Sequence, residues 1–397
     1  MYDLIIKNGT VLDPVTGTST TKNIYINNGK IIETPANESD TCAIKTINAS
    51  GCYVMPGLID AHIHVFEGGN QFGGRADLCC PPSGVTTVID AGSAGVYTFE
   101  LFYKTIILNS TTSIKAAISP SASGVLGPPH EENLDPFYGS PEIMFPLFEK
   151  YKDVLVGIKQ RVHEGVTEII GLKSLEQSAK TAEKLRKMGY QCNLMVHFGN
   201  LSEGVSVNNI LDFLVEGDVF THIYRPANGT TIFGEDGRVL DCIKKAKKRG
   251  VIFESGCARS HFSCDSVKKG FKDSFLPYII STDMVRDTNY WSPSGWLALK
   301  MSIYLNAGMS LRDVVKAVTY NPAKVYGLLD NAGCLDIGMP ADVAILKVVD
   351  RNYLIEDMFG GSMECNKLIV PMATIKNGNV VFQQIFLGIQ GGLSNNN

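Results

Sequence analysis

Pro56-Gly57-Leu58-Ile59-Asp60-Ala61-His62-Ile63-His64 is a short apolar run that ends on two histidines two residues apart. Along a β-strand, residues i and i+2 face the same side, so one strand end can present both imidazoles to a single ion. Outward from this run the same style recurs. β-like apolar stretches cover 58–64, 85–91, 114–119, 154–159, 192–197, 219–223, 251–254 and 278–283. Between them lie stretches rich in Lys, Glu, Leu and Ala, such as 172–188 and 240–249, which read as helices. Near-continuous apolar strands alternating with helices imply a parallel sheet buried on both faces. Eight such units in about 250 residues fit an α/β fold of the (β/α)8 TIM-barrel type better than an open doubly wound sheet.

The two chain ends read differently. Leu4-Ile5-Ile6 and Val11-Leu12 are strand-like, with a turn expected at Lys7-Asn8-Gly9-Thr10. Asn27-Asn28-Gly29-Lys30 and Asn377-Gly378 have the composition of tight hairpin turns. Residues 1–55 and 334–397 are therefore expected to pair as one discontinuous β-rich domain, with the barrel over 56–333. The tail 391–397 has no core-forming content and is expected to be loose.

Composition removes several functional classes. Hydrophobic residues are 44% and charged residues 19%, enough apolar material for a large core, which excludes global disorder. Lys and Arg number 36 against 40 Asp and Glu, so there is no basic surplus for general binding of nucleic acid or anionic membrane. No apolar run has the length of a bilayer span, and Met1–Gly9 lacks the basic and apolar regions of a signal peptide. The ten cysteines form no repeated CxxC pair and read as reduced thiols. A cytoplasmic protein acting on a small molecule is the expectation, and association into a homo-oligomer is compatible with it.

In a (β/α)8 barrel the C-terminal strand ends converge on one site. Here they carry His62 and His64 (first strand), Lys159 (fourth), His197 (fifth), His222 (sixth) and Asp283 (eighth). Any one of these alone says little; together they point to metal. Two cations need an anion between them. A desolvated lysine favours its neutral amine, which can take up CO2 to become a bridging carbamate.

These residues resemble the amidohydrolase superfamily over nearly the whole chain. The first-strand run 56–64, Asn321-Pro322-Ala323-Lys324-Val325-Tyr326-Gly327-Leu328 and Gly338-Met339-Pro340-Ala341-Asp342 match its signatures. Ser83–Gly95 and Gly157-Ile158-Lys159-Gln160-Arg161 are similar to the amidohydrolase/deacetylase metallohydrolases, a dihydroorotase-like group. The resemblance implies two divalent metals, usually zinc. His62, His64 and Asp283 would hold one, His197 and His222 the other, and carboxylated Lys159 would bridge them. It also implies that the chain ends form a small β-sandwich.

Such a site hydrolyses an amide-like C–N bond or a related ester through a metal-bridging hydroxide, with Asp283 accepting and passing on the proton. Dihydroorotases usually carry Arg two residues after the second histidine, where this chain has Phe66. Arg161, Arg225 and Arg286 follow ligand positions and are candidates to hold a substrate carboxylate. The expected substrate is thus a small N-acyl amino acid or acyl-hydroxy acid, with a cyclic amide as the alternative. After the seventh strand, similar proteins often read Gly-His-Gly; here Cys257 takes the histidine's position and His261 lies nearby, so either is a candidate substrate contact. His130, on the loop after the third strand, reads as a surface residue or, alternatively, a pocket residue. A non-catalytic scaffold would typically have lost ligands, and a mononuclear deaminase generally lacks the bridging lysine.

Overall fold

The computed structural model describes residues 1–38, 42–127, 132–226 and 228–387. His130 and the tail 391–397 lie outside them. Seven parallel strands form one curled sheet in sequence order: β1 (Leu58–Ile63), β2 (Val85–Gly95), β3 (Ser113–Ser119), β4 (Leu155–Val162), β5 (Asn193–Phe198), β6 (Val219–Phe220) and β7 (Ile252–Phe253). The expected helices appear as Lys173–Lys187 and Asp241–Lys248.

The eighth apolar run makes no regular strand, yet it closes the sheet. Ile279 bridges to Glu254 beyond β7, and Met284 bridges to Ile63 on β1. Backbone bonds run from Asp283 N to His62 O (2.7 Å) and from His64 N to Met284 O (3.0 Å). Side chains replace much of the missing ladder. Asp60 accepts from Thr282 Oγ1 at 2.6 Å and Thr282 N at 3.1 Å, and Ser255 Oγ accepts from Ser281 N at 3.1 Å. These bonds leave buried backbone groups satisfied where regular pairing stops.

Ile59, Ala61, Ile89, Ala91, Val156, Met195 and Val219 share an apolar cluster with Tyr326 and Leu328. A larger cluster joins the outer strand faces to the helices, with Leu58, Val88, Leu194 and Phe220 among its members. The β1–β2 register slips between Asp60 and Ile63, and the two histidines stand at and beyond this irregularity.

The chain ends do come together, as a single branched eight-stranded sheet. Its order is Asn379–Gln383, Ser362–Lys376, Val343–Glu356, Tyr53–Pro56, Tyr2–Leu12, Ser19–Asn27 and Lys30–Ile32, with Ala43–Asn48 also paired to the N-terminal strand. The described strands thus give one continuous hydrogen-bonded sheet, part of which (Leu4, Ile6, Val54, Val343, Ile375) surrounds a core of its own while Leu12, Met55, Leu346 and Ile369 join the barrel's larger core. The turn expected at Lys7–Thr10 is instead a bulge inside one long strand, because Asn8 adopts φ 62° while pairing resumes at Gly9. Both Asn-Gly sites are tight hairpin turns. All ten cysteines are unpaired thiols, as expected. Among the described residues, no helix is long and apolar enough to cross a membrane.

Candidate active site

The six residues singled out by sequence meet at the C-terminal mouth of the barrel. His62 Nε2 and His64 Nε2 both lie 3.3 Å from Asp283 Oδ1. Lys159 Nζ is 2.7 Å from His62 Nε2. His197 Nδ1 is 2.8 Å from His222 Nε2, and His222 Nδ1 lies 3.9 Å from Asp283 Oδ2. All six side chains are buried.

The second ring nitrogen of three histidines is held from outside. His62 Nδ1 is 3.2 Å from Glu254 Oε2, His64 Nδ1 is 3.0 Å from Ser93 Oγ, and His222 Nδ1 is 2.7 Å from the Gly256 carbonyl. Such partners fix tautomer and ring direction, leaving Nε2 turned to the centre. Burial drives His62, His197 and His222 well below the usual imidazole value, helped by Lys159, His222 and His261 respectively. Neutral imidazole is the form that ligates metal. Burial also lowers the Lys159 ammonium to about 8, against the pull of Asp283 and Glu254. Burial would raise Asp283, but His62, His261 and His64 hold its carboxyl well below the ordinary range. Burial pushes Glu254 well above its ordinary value.

This donor set fits divalent cations. Two triads have donor atoms within 4.8 Å of one another: His62, His222 and Asp283, and His197, His222 and His261. The second includes His261, which the resemblance did not place among the ligands.

The backbone is shaped around these groups. His222 and Asp283 adopt left-handed φ of 63° and 51°, uncommon for residues other than glycine and concentrated at functional sites. Two glycines clear space. A Cβ on Gly92 would lie 2.9 Å from Lys159 Cβ and Cγ, and one on Gly256 would lie 2.6 Å from His222 Nδ1.

A cavity of about 160 Å³ opens over the cluster, lined by Arg161, Arg259, Ser260, His261, Phe72 and Val285 among others. That is below the roughly 300–1,000 Å³ of sites for drug-sized ligands, so it suits a small molecule. Three roomier clefts, of about 490, 680 and 390 Å³, lie at the domain junction, along the C-terminal hairpin and beside Glu216, Lys247 and Tyr278, away from this cluster.

The candidate substrate contacts divide. Arg161 lines the cavity but is paired at 2.5 Å with the buried carboxylate of Glu132. Arg225 does not line it: its guanidinium is tied to the Thr230 carbonyl and to Asn200 Oδ1, both at 3.0 Å, and sits over the Phe198 ring. Arg286 is exposed and pairs with Asp287. Both follow points where regular strand geometry has ended, so nearness in sequence to a ligand does not set their direction. Cys257 is also outside the cavity. Following the left-handed Gly256, its thiol enters the outer core 2.9 Å from the Tyr304 hydroxyl. His261 instead returns on a short 3-10 turn (Arg259–His261), stacks on His222 at 4.1 Å and places Nδ1 3.1 Å from Asp283 Oδ2.

Sequence reading misses Glu254, Ser93 and Arg259. Glu254 is the last residue of its apolar run, a buried acid at a strand end, and that position is a readable signal. Lys300 carries no such signal. Fully buried in helix Leu297–Ala307, its Nζ donates to the Cys257 carbonyl at 2.6 Å and to that of Pro293. It thereby ties together the two loops that wall the cavity.

A family model, the amidohydrolase family, matches residues 53–381, and the chain belongs to that family. A deacetylase of Brucella anthropi is 28% identical over 86% of this chain and 82% of its own length. Two solved structures superpose with TM-score 0.86 at 26% identity, each covering 97% of this chain: an adenine deaminase (100% of that chain) and a dihydroorotase (98%).

Proposed function

We propose that this protein is a metal-dependent hydrolase that cleaves an amide C–N bond, or the related ester, in a small carboxylate-bearing substrate such as an N-acyl amino acid or acyl-hydroxy acid. The observation that carries this is the orientation of the imidazoles: Glu254 and Ser93 occupy the outer nitrogens of His62 and His64, whose inner ones face Asp283 and Lys159, and the Gly256 carbonyl holds His222 with its inner nitrogen on His197. His62, His64, Asp283, His197 and His222 would hold two divalent ions, with zinc suited to the nitrogen-rich set and Lys159 carboxylated between them. When bound, the ions supply Lewis acidity, which polarises the scissile carbonyl and makes water nucleophilic at neutral pH. Asp283 accepts a proton and returns it to the leaving nitrogen or oxygen. His261 at 3.1 Å keeps Oδ2 oriented. The small, partly apolar cavity limits substrate size. The deacetylase relative supports an open-chain acyl substrate over a cyclic amide.

The test is a hydrolysis screen of zinc-loaded protein. N-acetyl amino acids and O-acetyl hydroxy acids would be set against hydantoin, dihydropyrimidines, dihydroorotate and adenine. Turnover of the acyl acids, lost on chelation and restored by zinc at about two ions per chain, is expected. Turnover confined to the cyclic compounds, or undiminished after complete metal removal, would overturn it.

A further inference from the structure

We infer that the substrate's anionic group is received by Arg259, braced by Trp291, and not by any of the arginines that follow the metal-binding strand ends. This rests on the reading of the site as a hydrolase of acyl carboxylic acids and specifies how it would hold them. Among the four arginines near the mouth, Arg225 is spent on Thr230 and Asn200, and Arg286 points to solvent beside Asp287. Arg161 reaches the cavity, but its charge is balanced by Glu132, whose side chain is fully buried. A second carboxylate there would meet the first at close range. Arg259 also lines the cavity and has no carboxylate within ion-pair distance among the described residues. Its guanidinium lies 4.9 Å over the Trp291 ring. Stacking orders the side chain without using its in-plane N–H donors, which remain available for a bidentate carboxylate.

The placement matches a small bifunctional ligand. Arg259 and His261 are the two ends of one 3-10 turn, and His261 contacts Asp283. A single turn therefore spans from the open cation to the reacting centre. The scissile carbonyl would sit at the histidine cluster with the carboxylate outward at Arg259. Arg259 is thus a specificity-determining residue, selecting acids over neutral analogues.

The chain has two tryptophans, Trp291 and Trp296, and Trp291 is stacked on Arg259 while Trp296 bonds Asn289 in the same loop region. Intrinsic fluorescence therefore reports on the mouth, independently of turnover. Zinc-loaded protein would be titrated with N-acetylalanine and with N-acetylalaninamide. Wild type should respond saturably to the acid and about tenfold or more weakly to the amide. Arg259→Met should abolish that preference, Arg259→Lys should keep part of it, and Arg286→Met should leave it unchanged. Equal binding of acid and amide by wild type, or an undiminished acid preference in Arg259→Met, overturns the assignment. Acid-selective binding through Arg259 without hydrolysis of any acyl acid would leave the anion site standing and sink the hydrolase reading. Hydrolysis with an unchanged KM in Arg259→Met would do the reverse.

Discussion

The strand ends and the two loops facing them deliver side chains to the same cavity by different means. At the strand ends, His62, His64 and His222 each have a second nitrogen fixed by a group from another part of the barrel mouth. Glycines at 92 and 256 admit no larger residue without displacing Lys159 or His222. In the loops 256–263 and 285–296, Arg259 is held by one ring stack, and both loops are tied to the barrel through the ammonium of Lys300. The histidine cluster is thus held from several sides, whereas the Arg259 side chain is held by its ring stack. Geometry within a few tenths of an ångström matters for the reacting groups and much less for holding a flexible substrate end.

On this contrast the heaviest losses come from the strand ends. Asp283→Asn keeps the shape of the side chain but removes its capacity to take a proton. Turnover should fall about 10²–10⁴-fold with most of the metal retained. Near-wild-type kcat with full metal content would take Asp283 out of the mechanism.

Next in size is a residue that touches no substrate. Glu254→Gln leaves the His62 contact sterically intact but removes the carboxylate behind the imidazole. Metal affinity should drop about 10–100-fold, measured by competition with a chelator, and activity should recover at high zinc. Unchanged affinity would show that His62 is oriented by the strand alone, and would erase half of the contrast.

The same contrast explains what is legible in the sequence. Side chains on strands obey a fixed alternation, so the direction of a histidine two residues from another, or of a lysine closing an apolar run, is set by its place in the run. His62, Lys159 and His197 lie within regular strands and follow that rule, whereas His64 stands just past β1 and His222 and Asp283 reach the cluster from left-handed backbone that alternation does not predict. The eighth run lies where its apolar residues place it, although side chains of Asp60 and Ser255 do much of the work of its ladder. Direction is lost once the strand stops. Arg225 and Arg286 lie within three residues of His222 and Asp283, but both of those residues have left-handed backbones that redirect the chain beyond them. Arg259 is illegible for the converse reason: nothing in its local sequence says that it stacks on a tryptophan more than thirty residues away. At the chain ends, Asn8 shows the same limit, since a turn-like tetrapeptide is also the sequence of a bulge.

The mildest expected effect tests the loop after β7 directly. By position, Cys257 stands where similar proteins often carry a histidine, but its thiol faces Tyr304 while His261 faces Asp283. Four residues of irregular backbone turn the thiol away from the cluster and the imidazole toward it. Cys257→Ser preserves a group able to bond the Tyr304 hydroxyl at slightly smaller size. Its kcat/KM should stay within about twofold of wild type, with a stability change of about 1 kcal/mol, the scale of one buried hydrogen bond, read from denaturant unfolding. A tenfold fall in kcat at full metal occupancy would return the thiol to the chemistry. It would also mean that loop residues, like strand residues, can be assigned by position alone, and the distinction between the two regions would lose its physical basis.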